Sequence, residues 1–193
     1  MTNIRPLLII VTLAALLSGC GKKNDTIVPR RTAYPRIQLY DTIYKDLPTK
    51  PVTIMVNAST EPELSHRSDT DTWINVRYPR YQSTLSLTLL EISGEPLLDA
   101  IDNRSERMAL NLNGVRYQPF RTSDSHISAI MPVAESPCVT PVQILATDYS
   151  SFLLTGALTF DGDTVRDIEE IAPVVSAVKD DIIYMINHLK QPR

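Results

Sequence analysis

The chain has 193 residues, a net charge of −3 at neutral pH and two cysteines. The weakly acidic balance, with no basic block beyond the first 35 residues, argues against a nucleic-acid binder that works by neutralising phosphates. One cysteine remains outside the N-terminal segment, so no internal disulfide framework is available and one ordinary domain must be held by packing alone.

The N-terminus reads as an export signal. Arg5 precedes the apolar run Leu7 to Leu17, a positive n-region followed by a short h-region. The run is shorter than the roughly 20 apolar residues of a membrane helix. It ends in Leu17-Ser18-Gly19-Cys20, the pattern of a bacterial lipobox. The small residues let extended backbone enter a peptidase cleft, and the thiol of Cys20 is the acceptor for the lipid. Each acyl chain contributes about 0.8 kcal/mol per buried methylene, so a multiply acylated cysteine is a durable membrane anchor. The expected organisation is a signal peptide over 1–19, a lipidated cysteine and polar tether over 20–33, and a folded domain over 34–190. Residue 21 is Gly rather than Asp, which favours the outer membrane, with the domain facing the periplasm.

Tyr34 to Tyr40 reads as a short entering strand, and Val52 to Ala58, rich in β-branched residues, as a second. Residues 59–71 are polar, with Pro62 and His66, and read as a loop. Trp73 to Tyr78 alternates bulky and polar residues, and Pro79 ends or kinks it. Leu85, Leu87 and Leu89 give one apolar strand face. Ser93 or Gly94 caps a helix with Pro96 in its first turn and a buried stripe of Leu97, Leu98, Ile101 and Met108. Asn113-Gly114 is a tight turn.

Four strands are then expected, over 115–121, 127–133, 142–147 and 152–160. The hairpin loop Asp148-Tyr149-Ser150-Ser151 precedes the last. Gly156 lies on the face of Phe152, Leu154, Leu158 and Phe160, so a large group, an aromatic or a helix, is expected to pack over it. Asp161-Gly162-Asp163-Thr164 turns into the cap of a final helix. That helix carries Ile168, Ile171, Val175, Val178, Ile182, Met185 or Ile186, and Leu189 at helical spacing. Pro173 either kinks it or marks the start of its longer half. Strands followed by a helix, then strands and a helix again, predict an α+β domain: a largely antiparallel sheet flanked by helices. This order of elements resembles that of the fold shared by PsbP and Mog1.

Several stretches carry a family likeness: Tyr34-Pro35-Arg36-Ile37, then Trp73-Ile74-Asn75-Val76-Arg77-Tyr78-Pro79-Arg80-Tyr81, and above all Ala146 to Phe160 (ATDYSSFLLTGALTF). On these the chain resembles the gliding-motility lipoprotein GldD family. That family has a T-D-S…F-x-R-G-A-L-Y-F pattern in the third stretch and a D-I pair in its closing helix, as in Asp181-Ile182. Leu154, Thr159 and Tyr149 depart from it, standing where the family has Arg, an aromatic and Ser. The resemblance implies a lipoprotein needed for assembly or stability of gliding and type IX secretion machinery, with no catalytic residues.

The residues themselves point the same way on chemistry. His66, His126 and His188 lack metal-ligand spacing. Asp124-Ser125-His126 contains triad residue types, but neighbours in an extended chain point to opposite sides. Asp69-Thr70-Asp71 and Asp161-Gly162-Asp163 offer too few oxygens for calcium. No phosphate loop, nucleophile elbow or dinucleotide fingerprint occurs. No enzyme activity and no cofactor is therefore expected, and Cys138 reads as a half-buried small residue in a turn-rich segment or a mixed-disulfide partner. The candidate interface is Trp73, Arg77, Tyr78, Arg80 and Tyr81, joined by Tyr34 and Arg36, because Tyr, Trp and Arg are enriched at binding hot spots. The expected partners are a membrane, through Cys20, and an envelope protein complex. A rival reading is a ligand- or polysaccharide-binding lipoprotein, with Trp73, Tyr78 and Tyr81 stacking at a cleft mouth. A third is a hydrolase using Ser125 or His126.

Overall fold

A computed structural model describes residues 37–111, 120, 122–123, 126–162 and 165–190. The signal peptide, Cys20, the tether, Tyr34, Arg36, the 113–114 turn, most of the expected 115–121 strand, Asp124, Ser125, Asp163 and Thr164 lie outside the described residues.

Strands β3 (Glu61–His66), β4 (Asp71–Tyr78), β5 (Ser83–Glu91), β6 (Ser128–Ile130), β7 (Val142–Thr147) and β8 (Phe152–Phe160) form one sheet in the order β3-β4-β5-β8-β7-β6. Every neighbouring pair is antiparallel. β1 (Tyr44–Leu47) and β2 (Ile54–Asn57) make a separate antiparallel pair. Helices α1 (Glu95–Asn111) and α2 (Ile168–Asn187) complete the α+β fold.

The period-two pattern decides what each face of the sheet meets. Ile74, Val76 and Tyr78 of β4, Leu85, Leu87 and Leu89 of β5, Ile144 of β7 and Leu154 and Leu158 of β8 share one face. On it lie Leu47, Ile54 and Val56 of the β1–β2 pair and Ile171, Val175, Val178, Ile182, Met185 and Ile186 of α2. Both Met185 and Ile186 are buried, so the stripe of α2 takes the two residues together. The end of this layer is fastened by backbone bonds from Thr53 N–H to the Lys190 carbonyl (2.7 Å) and from Lys190 N–H to the Thr53 carbonyl (3.2 Å). The opposite face is covered only in part. Leu97 and Met108 of α1 pack there with Leu145 and Leu153, supported by Leu90, Ile92, Ile101 and Ile130.

Several expectations are corrected. Residues 37–40 form no strand, and the entering strand is Tyr44–Leu47 instead. The polar stretch 59–71 is not all loop: Glu61–His66 pairs with β4 as an outer strand. A strand at a sheet edge buries little of either face, so it carries no apolar alternation to read. Leu98 is 52 % exposed and leaves the α1 stripe. Gly94, at φ +67°, occupies the cap position, its carbonyl accepting from Leu97 N–H at 3.1 Å. At Gly156, on the core face, the tightest neighbours belong to the adjacent strands. A Cβ there would come within 2.5 Å of Leu87 Cδ2, 2.8 Å of the Ser86 carbonyl oxygen and 3.0 Å of Ile144 Cγ2, so the neighbouring strands themselves fill the space. The cap of α2 is Asp167, whose carboxylate accepts from Glu169 N–H at 2.9 Å. The helix runs through Pro173.

The loop between β7 and β8 is held tightly. Asp148 Oδ1 accepts from the backbone N–H groups of Ser150 (2.9 Å) and Ser151 (2.8 Å). Its Oδ2 accepts from the hydroxyls of Ser150 (2.8 Å) and Ser151 (2.6 Å). Burial works against the Asp148 charge, but these four donors outweigh it and hold the carboxyl below the usual carboxylate range. Thr147 adds a bond from its hydroxyl to the Phe152 carbonyl at 2.7 Å. Among the described residues, no helix is long and apolar enough to cross a membrane.

Candidate functional site

The run from Trp73 to Tyr81 does not form one patch. Strand alternation sends Trp73, Asn75 and Arg77 to the face that α1 covers only in part, and Tyr78 to the face under α2. Tyr78 is 2 % exposed and Tyr81 7 %. Both belong to the core, which removes them from any exposed surface and from the stacking role expected beside Trp73. Aromatic and cationic residue types alone suggest one patch, but the period of two along the strand divides them between its faces.

Tyr78 and Tyr81 instead build an aromatic cluster with Tyr40. The Tyr40 ring lies 4.9 Å from that of Tyr81 and 6.0 Å from that of Tyr78. Arg80 follows in a short 3₁₀ turn, Pro79–Tyr81. Its guanidinium stands 5.0 Å from the Tyr40 ring centroid, and its backbone N–H donates to the Tyr40 hydroxyl at 3.0 Å. Arg80 thus fixes the segment that leads into the domain.

Beside this cluster sits Asp181 of α2. It accepts from the Tyr44 hydroxyl at 2.7 Å and from Asn57 Nδ2 at 3.4 Å, and Tyr78 also hydrogen-bonds to it. Burial raises its pKa even though these donors favour the charged form. Burial also raises the Tyr78 and Tyr44 hydroxyls, and the nearby Asp181 adds to it. Asn57 Nδ2 donates to the Asp41 carbonyl at 2.8 Å as well. The network ties the entering segment, β1, β2, β4 and α2 together, and every member has a structural partner. Sequence reasoning missed it because its residues are spread from 41 to 181. The Asp181-Ile182 pair was legible only as part of the family likeness.

The other face is different. Strand registers line up three rows of side chains across it. Ser65, Trp73, Thr88 and Thr155 form one row, and Glu63, Asn75, Ser86, Ala157 and Gln143 form the next. Glu61, Arg77, Thr84 and Thr159 form the third. The floor is polar, and Trp73 is its one aromatic, 45 % exposed with the Arg67 guanidinium 5.8 Å from the ring centroid. Two concavities lie on this floor and share Ser86. One of about 470 Å³ is lined by Glu61, Glu63, Asn75, Arg77 and Thr84, and one of about 180 Å³ reaches Arg104 and Met108 of α1.

Polar groups on this floor are only partly used by the protein. Asn75 Oδ1 accepts from the Ser86 hydroxyl at 2.8 Å, and Arg104 donates to the Thr155 hydroxyl at 3.1 Å. Arg77 and Glu61 approach to 3.6 Å. Among the described residues, Asn75 Nδ2 and the hydroxyls of Thr84 and Thr88 have no protein partner. These groups face solvent with hydrogen-bonding capacity that the protein does not use. Among the described residues, no group of three or more His, Cys, Asp or Glu is placed to hold a metal ion. His66 is engaged by the Thr72 hydroxyl at 3.2 Å and His188 by the Tyr184 carbonyl at 2.7 Å. Ser125 lies outside the described residues, so the hydrolase arrangement has no geometry to describe.

The family likeness maps onto this framework. The Ala146 to Phe160 stretch spans the end of β7, the Asp148 loop and β8, and Trp73 to Tyr81 spans most of β4 and the turn after it. A comparison with curated proteins returned no match. A family model described as gliding motility lipoprotein GldD matches residues 24–191. That match covers nearly the whole chain and every described element, and the chain belongs to the GldD family of gliding-motility lipoproteins.

Proposed function

We propose that this protein is a non-enzymatic accessory lipoprotein of a gliding-motility and type IX secretion machine, tied to the outer membrane through acylated Cys20 with its domain facing the periplasm. The family match over residues 24–191 carries this reading. The lipobox pattern at Leu17 to Cys20 supports the anchor. The domain works by binding: the polar face around Trp73, Asn75 and Arg77 is its working surface, and the tyrosine–Asp181 network keeps the opposite layer rigid.

The test is genetic and biochemical together. A deletion strain should lose surface spreading and export of secreted cargo. Crosslinking of the lipidated protein in the intact envelope should capture motility or secretion components. Normal spreading and export in the deletion strain, with an unchanged partner complex, would refute the reading. Mass spectrometry should find acyl mass on Cys20, and a Cys20→Ala variant should be released from the membrane fraction.

A further inference from the structure

We infer that the open face of the sheet binds an extended, uncharged glycan chain, with Trp73 stacked on a sugar ring and the Asn75, Thr84, Ser86 and Thr88 side chains reading its hydroxyls. Three observations carry this.

The first is the kind of groups on the floor. A sugar presents a face of polarised C–H bonds and a rim of hydroxyls. An indole supplies a flat, electron-rich ring for the first, and amides and hydroxyls supply paired donors and acceptors for the second. Trp73 and Thr88 are cross-strand partners, and Asn75 and Ser86 are partners in the adjoining row. Aromatic and hydrogen-bonding groups therefore lie one strand spacing apart, about 4.8 Å, which is the scale of a single pyranose ring.

The second is charge. Glu61, Glu63, Arg77 and Arg104 line the two concavities, two of each sign. Arg77 is already beside Glu61 at 3.6 Å. Arg67 adds one positive charge beside Trp73, so the whole face carries only a weak excess, and a neutral polyol uses donors and acceptors of both kinds.

The third is shape and polarity. The two concavities share Ser86 on the floor, α1 lines the smaller one, and Trp73 stands outside both, in the row of Thr88 and Thr155 that borders the smaller one. Small-molecule sites enclose most of their ligand in a largely apolar pocket, and protein interfaces are built around an apolar centre. This face has neither. It suits a chain that lies along it and remains in contact with water.

The inference rests on the reading of this face as a binding surface, but its test is separate from motility. Trp73 is the only tryptophan in the chain, so its emission reports directly on the site. The acylated protein in detergent is titrated with the hexamers of N-acetylglucosamine, β-1,4-glucose and α-1,4-glucose, read by fluorescence and by calorimetry. At least one hexamer should change Trp73 emission saturably. Trp73→Ala should weaken that binding at least about tenfold, a loss of about 1.4 kcal/mol, and Thr88→Ala severalfold. Lys179→Ala, exposed on α2 across the sheet, should bind as the wild type does. Because Trp73 is substantially exposed, its variant should keep the wild-type melting temperature, which calorimetry verifies. No saturable binding of any of the three hexamers, or binding unaffected by Trp73→Ala, overturns the inference. If binding fails while a Trp73→Ala strain still loses spreading, the machine role stands and the glycan does not.

Discussion

Ile74, Val76 and Tyr78 of β4 lie under α2 and are at most 2 % exposed, whereas Trp73 from the same strand is 45 % exposed beside Asn75 and Arg77. The first set belongs to the core cluster with leucines of β5 and β8 and with Val175, Val178 and Ile182 of α2. The second touches threonines, serines and charged groups of its neighbouring strands. One strand thus serves two environments: its even-numbered residues hold the fold, and its odd-numbered residues stand on the open face. Substitutions on the two sides should therefore separate cleanly into losses of stability and losses of function.

The largest effect is expected under α2. Ile74→Ala removes a fully buried side chain from the core face and should cost about 2–5 kcal/mol in chemical denaturation. A cost below 1 kcal/mol would mean that α2 does not pack where it is placed. Gly156→Ala should follow at about 1–3 kcal/mol, because the new Cβ meets the Ser86 backbone oxygen as well as Leu87 and Ile144. A neutral outcome would show that the strands can separate at that point.

Asp148→Asn should cost about 1–2 kcal/mol, since the amide keeps one acceptor oxygen but no longer accepts from the two serine hydroxyls. It also changes the acid side of the stability profile. The folded-state pKa of Asp148 is depressed. Its contribution is therefore fully present above the ordinary carboxylate pKa, about 4, and is lost as pH falls through the folded value. Asp181 has the opposite sign: its raised pKa favours the folded state at low pH and loses that contribution as pH rises. Denaturation midpoints from pH 2 to 6 should show a shallower acid loss in Asp148→Asn than in the wild type.

The smallest effect is expected on the open face. Arg77→Ala removes an ion pair whose partners are both more than half exposed, so stability should change by no more than about 0.5 kcal/mol, and less in high salt. A larger loss would mean that this face is part of the core and not a surface kept for binding.

The central strands were legible because burial on one face writes an alternation into the chain. The sequence reading placed 142–147 and 152–160 as strands, and both boundaries match the structure. The helical stripe of α2 was legible for the same reason. Edge strand β3 and the polar strand β1 carried no such signal and were missed. The candidate site was half legible. Trp73 and Arg77 stand out as exposed residue types on a strand, but the rows they join are completed by pairings of β5 with β8 between residues 67 to 75 positions apart, which no local pattern encodes. Tyr78, Arg80 and Tyr81 looked like surface because their residue types suit interfaces. The fold encloses Tyr78 and Tyr81, whereas Arg80 stays exposed with its guanidinium 5.0 Å from the Tyr40 ring centroid.

We propose that this lipoprotein works through the exposed side of β4. The most direct measurement is surface spreading by a deletion strain that carries the Trp73→Ala, Asn75→Ala double variant, with protein abundance and membrane fractionation matched to the wild type. Loss of spreading at normal abundance is the predicted result. Full restoration of spreading by the double variant would contradict the claim.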